Sequence, residues 1–316
     1  MSSGRFRNEY GVHKPICGGR CLVAHLGWYN MSPVSVLLLI CPSALWYWQV
    51  LNNIEHLYRI PLAASVGSVL LFTLYYLALA QFTEPGILPY VRLEESSRND
   101  NIGSRLTTLV MLEGREFPLT MFRAKISRVT KNCVEHFDHF CPWVGNAVGK
   151  RNYRYFFLFV TGALILAGLL TSTCLSVIIL CITKYDNELV DTIKSHIPEV
   201  LLVVYGSIMF ASLFLLWQFH VRAIAQNKTT NEILKHVYSK TNPNPYDKGC
   251  LRNFGLFCCK PLSKSRVAEL GADSPLLPYE RRANGTFVGS PDIPLLRVEE
   301  SPVHLGSEIG SEGTPS

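Results

Sequence analysis

The sequence predicts an all-α integral membrane fold: four transmembrane helices with a cytosolic loop domain between helices 2 and 3. Three observations lead there. Apolar residues make up 48% of the 316 and charged residues only 17%. The charges gather in blocks that leave four long windows without a single formal charge. Lysine and arginine, moreover, alternate between rich and poor segments along the chain.

The windows run over Pro33 to Leu51, Pro61 to Phe82, Tyr155 to Ile182 and Val200 to Phe219. At a rise of ~1.5 Å per residue each can cross about 30 Å of hydrocarbon. The third exceeds that need and so tilts or enters the interface. Pro42 interrupts the first and is a candidate kink. A soluble protein seldom sustains such runs without a polar face. Lys plus Arg number four before the first window, one between the first and second, eleven between the second and third, two between the third and fourth, and twelve after. The positive-inside rule therefore sets both termini and the central loop in the cytosol. Trp46, Trp48, Tyr155, Phe156 and Trp217 suit the aromatic belt.

The resulting division is a cytosolic N-terminal segment 1–32, helices 1 and 2 in 33–82, a loop domain 83–154, helices 3 and 4 in 155–219, a C-terminal segment 220–261 and a disordered tail 262–316. The tail is rich in Ser, Pro, Gly and Glu. The first thirty residues are polar and basic, without a signal-peptide core, so the first helix directs insertion. Ten cysteines at irregular spacing argue against a secreted disulfide scaffold. The net charge of +6 follows from topology and calls for no nucleic acid. A channel or transporter fits poorly, because no window carries an ionisable residue at mid-depth.

Chemistry concentrates at the end of the central loop, in Asp138-His139-Phe140-Cys141. A thiol two residues from an imidazole that follows a carboxylate supplies nucleophile, base and orienting group together. A free thiol, with a pKa near ~8.5, is mostly protonated at neutral pH, and an adjacent base raises its thiolate fraction. The tetrapeptide alone also suits an ordinary loop with a metal-binding or buried cysteine. Its place, about a dozen residues before a span, puts the thiol where a lipid-tailed donor arrives.

The stretch Cys133 to Phe156 reads Cys-Val-x-x-Phe-Asp-His-x-Cys-Pro-Trp-Val-x-Asn-x-Val-Gly-x-x-Asn-Tyr-Arg-x-Phe. It resembles the core of the DHHC protein S-acyltransferase (palmitoyltransferase) family. Glu84-Pro85-Gly86 is similar to that family's Asp-Pro-Gly motif, and Thr229-Thr230-Asn231-Glu232 to its Thr-Thr-x-Glu motif. Asn244-Pro245-Tyr246-Asp247 with Gly249 and Asn253 resembles its C-terminal Asn-Pro-aromatic segment. The resemblance covers residues from about 30 to 260.

It implies a protein-cysteine S-palmitoyltransferase working in two steps. Cys141 takes a long-chain acyl group from acyl-CoA, and a cysteine of a substrate protein at the cytosolic face then receives it. His139 would be the base, Asp138 its partner and Thr230 a contact of that aspartate, with Glu232, Asn244 and Tyr246 in supporting roles. The four helices would form a tent over the acyl chain, in an endomembrane or the plasma membrane. Lys150, Arg151 and Arg154 are candidates for the CoA phosphates, or for anionic lipid headgroups.

The family's loop holds two zinc ions, each by three Cys and one His, and here the sequence departs. The expected His-Cys-x-x-Cys is Ile126-Ser127-Arg128-Val129-Thr130, the second His of the signature is Phe140, and the Cys after Asn146 is Ala147. No earlier Cys-x-x-Cys lies between Thr83 and Asn132. Cys133 remains, with His136 the nearest other donor apart from the nucleophile, so four-coordinate zinc is not expected and no cofactor is called for. The loss leaves a second reading, a non-catalytic membrane adaptor on the same scaffold.

Elsewhere, Cys258 and Cys259, or Cys17 and Cys21, are either acylated themselves or ordinary thiols. Cys41, Cys174 and Cys181 are apolar filler. His220 and Arg222 read as interfacial anchors, and Gly162 and Gly168 are assigned no site. Sequons at Asn30, Asn227 and Asn284 are chance matches on the cytosolic side.

Overall fold

A computed structural model describes residues 13–16, 21–24, 30–53, 56–88, 90–95, 105–112, 115–118, 122–184 and 189–265. Most of the N-terminal segment, Cys17, Asn284 and the tail beyond residue 265 lie outside the described residues. The chain begins with a hairpin of β1 (His13–Ile16) and β2 (Cys21–Ala24), then α1 (Ser32–Asn53) and α2 (His56–Phe82). The loop domain holds β3 (Ile87–Leu88), β4 (Tyr90–Glu95), β5 (Arg105–Leu112), β6 (Arg115–Pro118), β7 (Lys125–Ile126), β8 (Cys133–Val134), β9 (His139–Cys141) and β10 (Asn146–Val148). After it come α3 (Tyr153–Lys184), α4 (Leu189–Ser195), α5 (Ile197–Ala225), α6 (Thr230–Leu234) and α7 (Cys250–Cys259).

Helices α1, α2, α3 and α5 are long and apolar enough to cross a membrane. Exposed Leu37, Ile60, Leu71, Ile208 and Leu215 give them an apolar outer surface, as lipid requires and water would not tolerate at this density. The fourth expected window, Val200 to Phe219, proves longer at both ends. Pro198 sits in the first turn of α5, where its missing N–H costs nothing, and the helix runs on through Arg222 to Ala225. Helix α3 starts at Tyr153, two residues before the expected Tyr155.

Helix α3 is central and packs along both α2 and α5. Gly162 has no assigned site in the sequence, yet a Cβ there would come within 2.6 Å of the Thr73 hydroxyl on α2. Gly206 on α5 faces Thr171 of α3 still more closely. Both glycines allow the close backbone approach that packing in lipid favours.

Polar pairs fix the register of these helices. Pro42 lies inside a continuous α1. Its missing N–H frees the carbonyl of Leu38, and the Tyr205 hydroxyl of α5 donates to it at 2.7 Å. Trp46 is not in the interface belt: it is fully buried in the bundle and donates to Thr173 of α3 at 2.7 Å. Trp48, on the other side of α1, is exposed. Cys174 fills the core, whereas Cys41 lies on the outer surface.

The helical class stands, but the loop is built of antiparallel strands: those next to the reactive residues are two or three long, too brief to leave a period-two pattern, and the longer β4 and β5 do not alternate strictly. Strands β3, β8 and β7 form one sheet, β4, β5 and β6 another, and β9 and β10 a hairpin. Buried asparagines bind this domain to the spans. Asn146 donates to the carbonyls of Gln81 and Thr83 at the end of α2, at 2.9 and 3.2 Å. Asn152 accepts from Gly149 N–H at 2.8 Å and donates to the carbonyls of Ala80 and Ala147 at 3.1 and 2.8 Å. Glu84, in the turn after α2, accepts from Gly86 N–H at 2.7 Å and pairs with Arg151, just before α3. The turn needs its glycine, since Gly86 has φ +108°.

Asn152→Ala strips three hydrogen bonds from a fully buried site and is expected to cost about 2–4 kcal/mol. Thermal unfolding of the detergent-purified protein should show a melting temperature lowered by several degrees; a shift below one degree would refute the bridging role.

Candidate active site

Strand β9 carries His139 and Cys141, and Asp138 immediately precedes it. The backbone of β9 is held by its register with β10, in which Val148, Ala147 and Asn146 face His139, Phe140 and Cys141. The Asp138 N–H adds a bond to Val148 O at 2.9 Å. Asp138 is buried and shares a 2.6 Å hydrogen bond with Nδ1 of His139. The carboxylate also accepts from Thr230, by its N–H at 2.7 Å and by its hydroxyl at 2.7 Å. Burial pushes the Asp138 carboxyl upward, but the bonds and charge of His139 and the Thr230 hydroxyl hold it below the usual value.

Burial pulls His139 downward, and its bonds to Asp138 and to the Cys141 thiol outweigh that, raising it to about 9. Cys141 itself is buried, in an apolar cluster with Leu77 and Ala80 of α2 and with Phe156, Phe159, Val160 and Ala163 of α3. Val36 and Leu39 of α1 and Leu213 and Trp217 of α5 pack against that cluster. The thiol thus has an imidazole on one side and the apolar interior of all four spans on the other.

Thr230 is placed by its own short helix. Thr229 caps α6 and makes a reciprocal capping box with Glu232. Glu232 in turn pairs with the buried guanidinium of Arg123, whose Nε lies 2.6 Å from it. Arg123 also donates to Asn227 O at 3.0 Å and stacks 4.7 Å over the Tyr246 ring. Arg123 is a residue that sequence reasoning missed, since its partners lie more than a hundred positions away.

The C-terminal motif completes the end of α5. The last carbonyls of a helix lack intrahelical partners. Asn253 donates to Ala225 O at 2.8 Å, and Asn244 donates to Gln226 O at 2.7 Å and Asn227 O at 3.1 Å. Asn227 donates to Tyr246 O at 2.8 Å.

The three candidate phosphate-binding cations line one cavity of about 240 Å³ beside Asp138, with Lys228 and Lys260. Lys150 pairs with Glu135 at 2.6 Å, Arg151 with Glu84, and Arg154 donates to Lys260 O at 2.6 Å. Among the described residues the Nε of Arg151 is buried without a partner. His220 is no interfacial anchor: it is buried with its ring centroid 6.0 Å from that of His139. Arg222, two residues on, is exposed.

The donor set does not suit zinc. Ser127 and Thr130 instead close a hydrogen-bonded turn, in which Thr130 N–H donates to the Ser127 hydroxyl at 3.2 Å and the Thr130 hydroxyl to Asn132 at 2.7 Å. Phe140 and Ala147 face each other across the β9–β10 hairpin. Burial and the negative charge of Glu135 push the Cys133 thiol up to about 12. Burial and the charges of Arg123 and Lys150 lower His136 to about 3. Among the described residues no three His, Cys, Asp or Glu side chains cluster as metal ligands do.

A four-span bundle with a histidine-paired thiol packed against its apolar interior defines a membrane protein equipped for covalent chemistry on cysteine. A family model described as DHHC palmitoyltransferase matches residues 119–237. Palmitoyltransferase ZDHHC18 of Mus musculus is 31% identical over 289 residues, covering 83% of this chain and 74% of that protein. The Homo sapiens protein of the same name is likewise 31% identical, covering 83% and 73%. Protein S-acyltransferase 8 of Arabidopsis thaliana is 29% identical over 299 residues, covering 84% and 72%. The chain belongs to the DHHC palmitoyltransferase family and is a multipass membrane protein.

Two outcomes follow. Because His139 is raised in the folded state from 6.5 to about 9, its contribution to stability is full below pH 6.5 and is lost as pH rises through about 9. The melting temperature should therefore fall across that window, and His139→Gln should flatten the fall; an equal slope in both proteins refutes the pairing. Thr230→Val removes one hydrogen bond to a carboxylate, worth about 1.5–3 kcal/mol, and acylation of the enzyme should slow by roughly tenfold or more. Unchanged single-turnover rates would dismiss Thr230 as a support for Asp138.

Proposed function

We propose that this protein is a protein-cysteine S-acyltransferase that carries a palmitoyl or similar long-chain acyl group on Cys141. The observation that carries the reading is the placement of the Cys141 thiol between His139 and the apolar interior of the four spans. An acyl chain threaded among those helices would present its thioester carbonyl at the thiol. Membership of a family whose relatives are named palmitoyltransferases supports the same reaction.

In the first step the proton shared by Cys141 and His139 rests on the imidazole while sulfur attacks the thioester carbonyl of acyl-CoA. The new carbon–sulfur bond forms, the bond to CoA breaks, and the departing CoA thiolate takes the proton from His139. Asp138 stays ionised throughout, keeping the imidazole oriented and stabilising its positive charge. In the second step a substrate cysteine gives its proton to His139 and attacks the acyl-enzyme, and Cys141 leaves and is reprotonated. The acceptor is a protein cysteine close to the membrane on the face that bears the loop domain. The scarcity of Lys and Arg in the two short connections supports a cytosolic position for that face and for both termini.

The basic cavity of Lys150, Arg151 and Arg154, with Lys228 and Lys260, is suited to the CoA phosphates. The loop domain works without zinc, its turn at 127–132 held by hydroxyl and amide hydrogen bonds and its hairpin by apolar contact. The intact Asp138, His139 and Cys141 arrangement counts against the adaptor reading.

Detergent-purified protein given labelled palmitoyl-CoA should acquire a hydroxylamine-sensitive label that Cys141→Ser abolishes; full labelling of that variant would sink the assignment. Metal analysis of the same preparation should find far less than one zinc per chain, with labelling unaffected by a strong chelator. Two zinc ions per chain would overturn the metal-free loop.

A further inference from the structure

His220 is a titratable group that the two steps above do not use. It lies near the end of α5, is 1% exposed, and its placement is costly, because a buried imidazole loses its hydration and must find a partner. That partner is Tyr153, the first residue of α3, whose hydroxyl lies 3.0 Å from Nδ1 of His220. Phe156 stands edge-on to both histidines, with centroids 5.0 Å from His139 at 72° and 5.0 Å from His220 at 74°. The His220 ring is tilted 36° to that of His139. Tyr153 is itself held by Phe156, stacked at 6.4 Å, and by Phe257 of α7, edge-on at 5.8 Å.

We propose that His220 is a positioning residue for acyl transfer: anchored by Tyr153, it packs with Phe156 against the His139 imidazole and holds that ring between Asp138 and Cys141. This rests on the acyltransferase reading. The backbone of His139 is fixed by the β9–β10 pairing, but the side-chain torsions are not. Hydrogen bonds to Asp138 and to the Cys141 thiol set where the two ring nitrogens lie but leave the ring plane free to turn between them. Packing by His220 and Phe156 removes that freedom. A proton-transfer group displaced by about 1 Å can lose a hundredfold in rate, and a reactive group is only as well placed as its supporting shell. The two elements involved, α5 and the start of α3, also contribute to the apolar cluster around Cys141, so one contact ties the geometry of the base to the helices.

The test measures acyl-enzyme formation by the full chain in detergent, as a function of palmitoyl-CoA concentration and pH, for wild type, Tyr153→Phe, His220→Phe and the double variant. Tyr153→Phe deletes one oxygen and keeps every ring, which guards against simple misfolding. Each single change should lower the maximal rate about three- to tenfold and leave KM for palmitoyl-CoA unchanged. The double variant should be no slower than the slower single one, because both changes break one link. The groups facing His139 are Asp138, Cys141 and His220, and Tyr153 reaches it through His220 and Asp138. A ring loosened from Asp138 gives up its proton more readily, so the alkaline limb of the rate profile should move to lower pH. Losses that multiply in the double variant, an unmoved pH profile, or changes confined to KM or melting temperature would overturn the proposal. Wild type that labels normally alongside variants that match it defeats this inference alone, whereas wild type that never labels Cys141 defeats the acyltransferase reading.

Discussion

A carboxylate kept ionised out of water holds this structure together. Asp138 is 3% exposed, a position that would neutralise an isolated acid. It stays charged because three donors from two distant parts of the chain converge on it: the imidazole of His139 and the backbone and hydroxyl of Thr230. Each donor must be held where it is, and much of the surrounding architecture does that holding. The capping box of α6, the Arg123 ion pair with Glu232 and the asparagine caps on α5 form successive layers around one negative charge. Removing one partner from such a pair leaves the other buried and uncompensated, at a cost of about 3–5 kcal/mol. The arrangement is therefore more vulnerable at its supports than the modest energy of any one hydrogen bond suggests.

What could be read from the sequence divides by distance along the chain. The four spans were legible because an uncharged run of twenty residues suits a bilayer and little else. The reactive trio was legible because Asp138, His139 and Cys141 are near neighbours. Arg123 was not, because its meaning lies in Glu232, 109 residues on. His220 was misread for the same reason: a histidine near the end of an apolar run resembles an interfacial residue until Tyr153, 67 positions earlier, is seen beside it. The strands around the reactive trio were missed because two or three residues carry no periodicity, and the longer β4 and β5, YVRLEE and RLTTLVML, do not alternate strictly between apolar and polar residues.

At the positions where the family carries metal ligands, the loop holds ordinary contacts. Around 127–132, two hydroxyls and an amide close the turn. In the hairpin, a large ring at Phe140 opposite a small side chain at Ala147 gives a pair that can pack without a ligand. Buried Val134, Phe137 and Ala147 form a small apolar cluster of their own. Each side chain suits the environment of its neighbour: polar groups stand where the backbone turns, and apolar ones where it pairs. Together they keep β9 in register, which is the property the chemistry depends on.

The bond from Tyr205 to the carbonyl left open by Pro42 has a mechanical consequence. Apolar side chains let neighbouring helices slide past one another at little cost, since one methyl group replaces another. A hydroxyl and a carbonyl inside hydrocarbon have no water to accept them, so moving α1 along α5 would strand both. With Trp46 tying α1 to α3 by a second such bond, three spans share a fixed height. The apolar cluster around Cys141 accordingly lies in a bundle whose helix heights are set by two polar contacts, one of them to a backbone carbonyl, and not by side-chain packing alone.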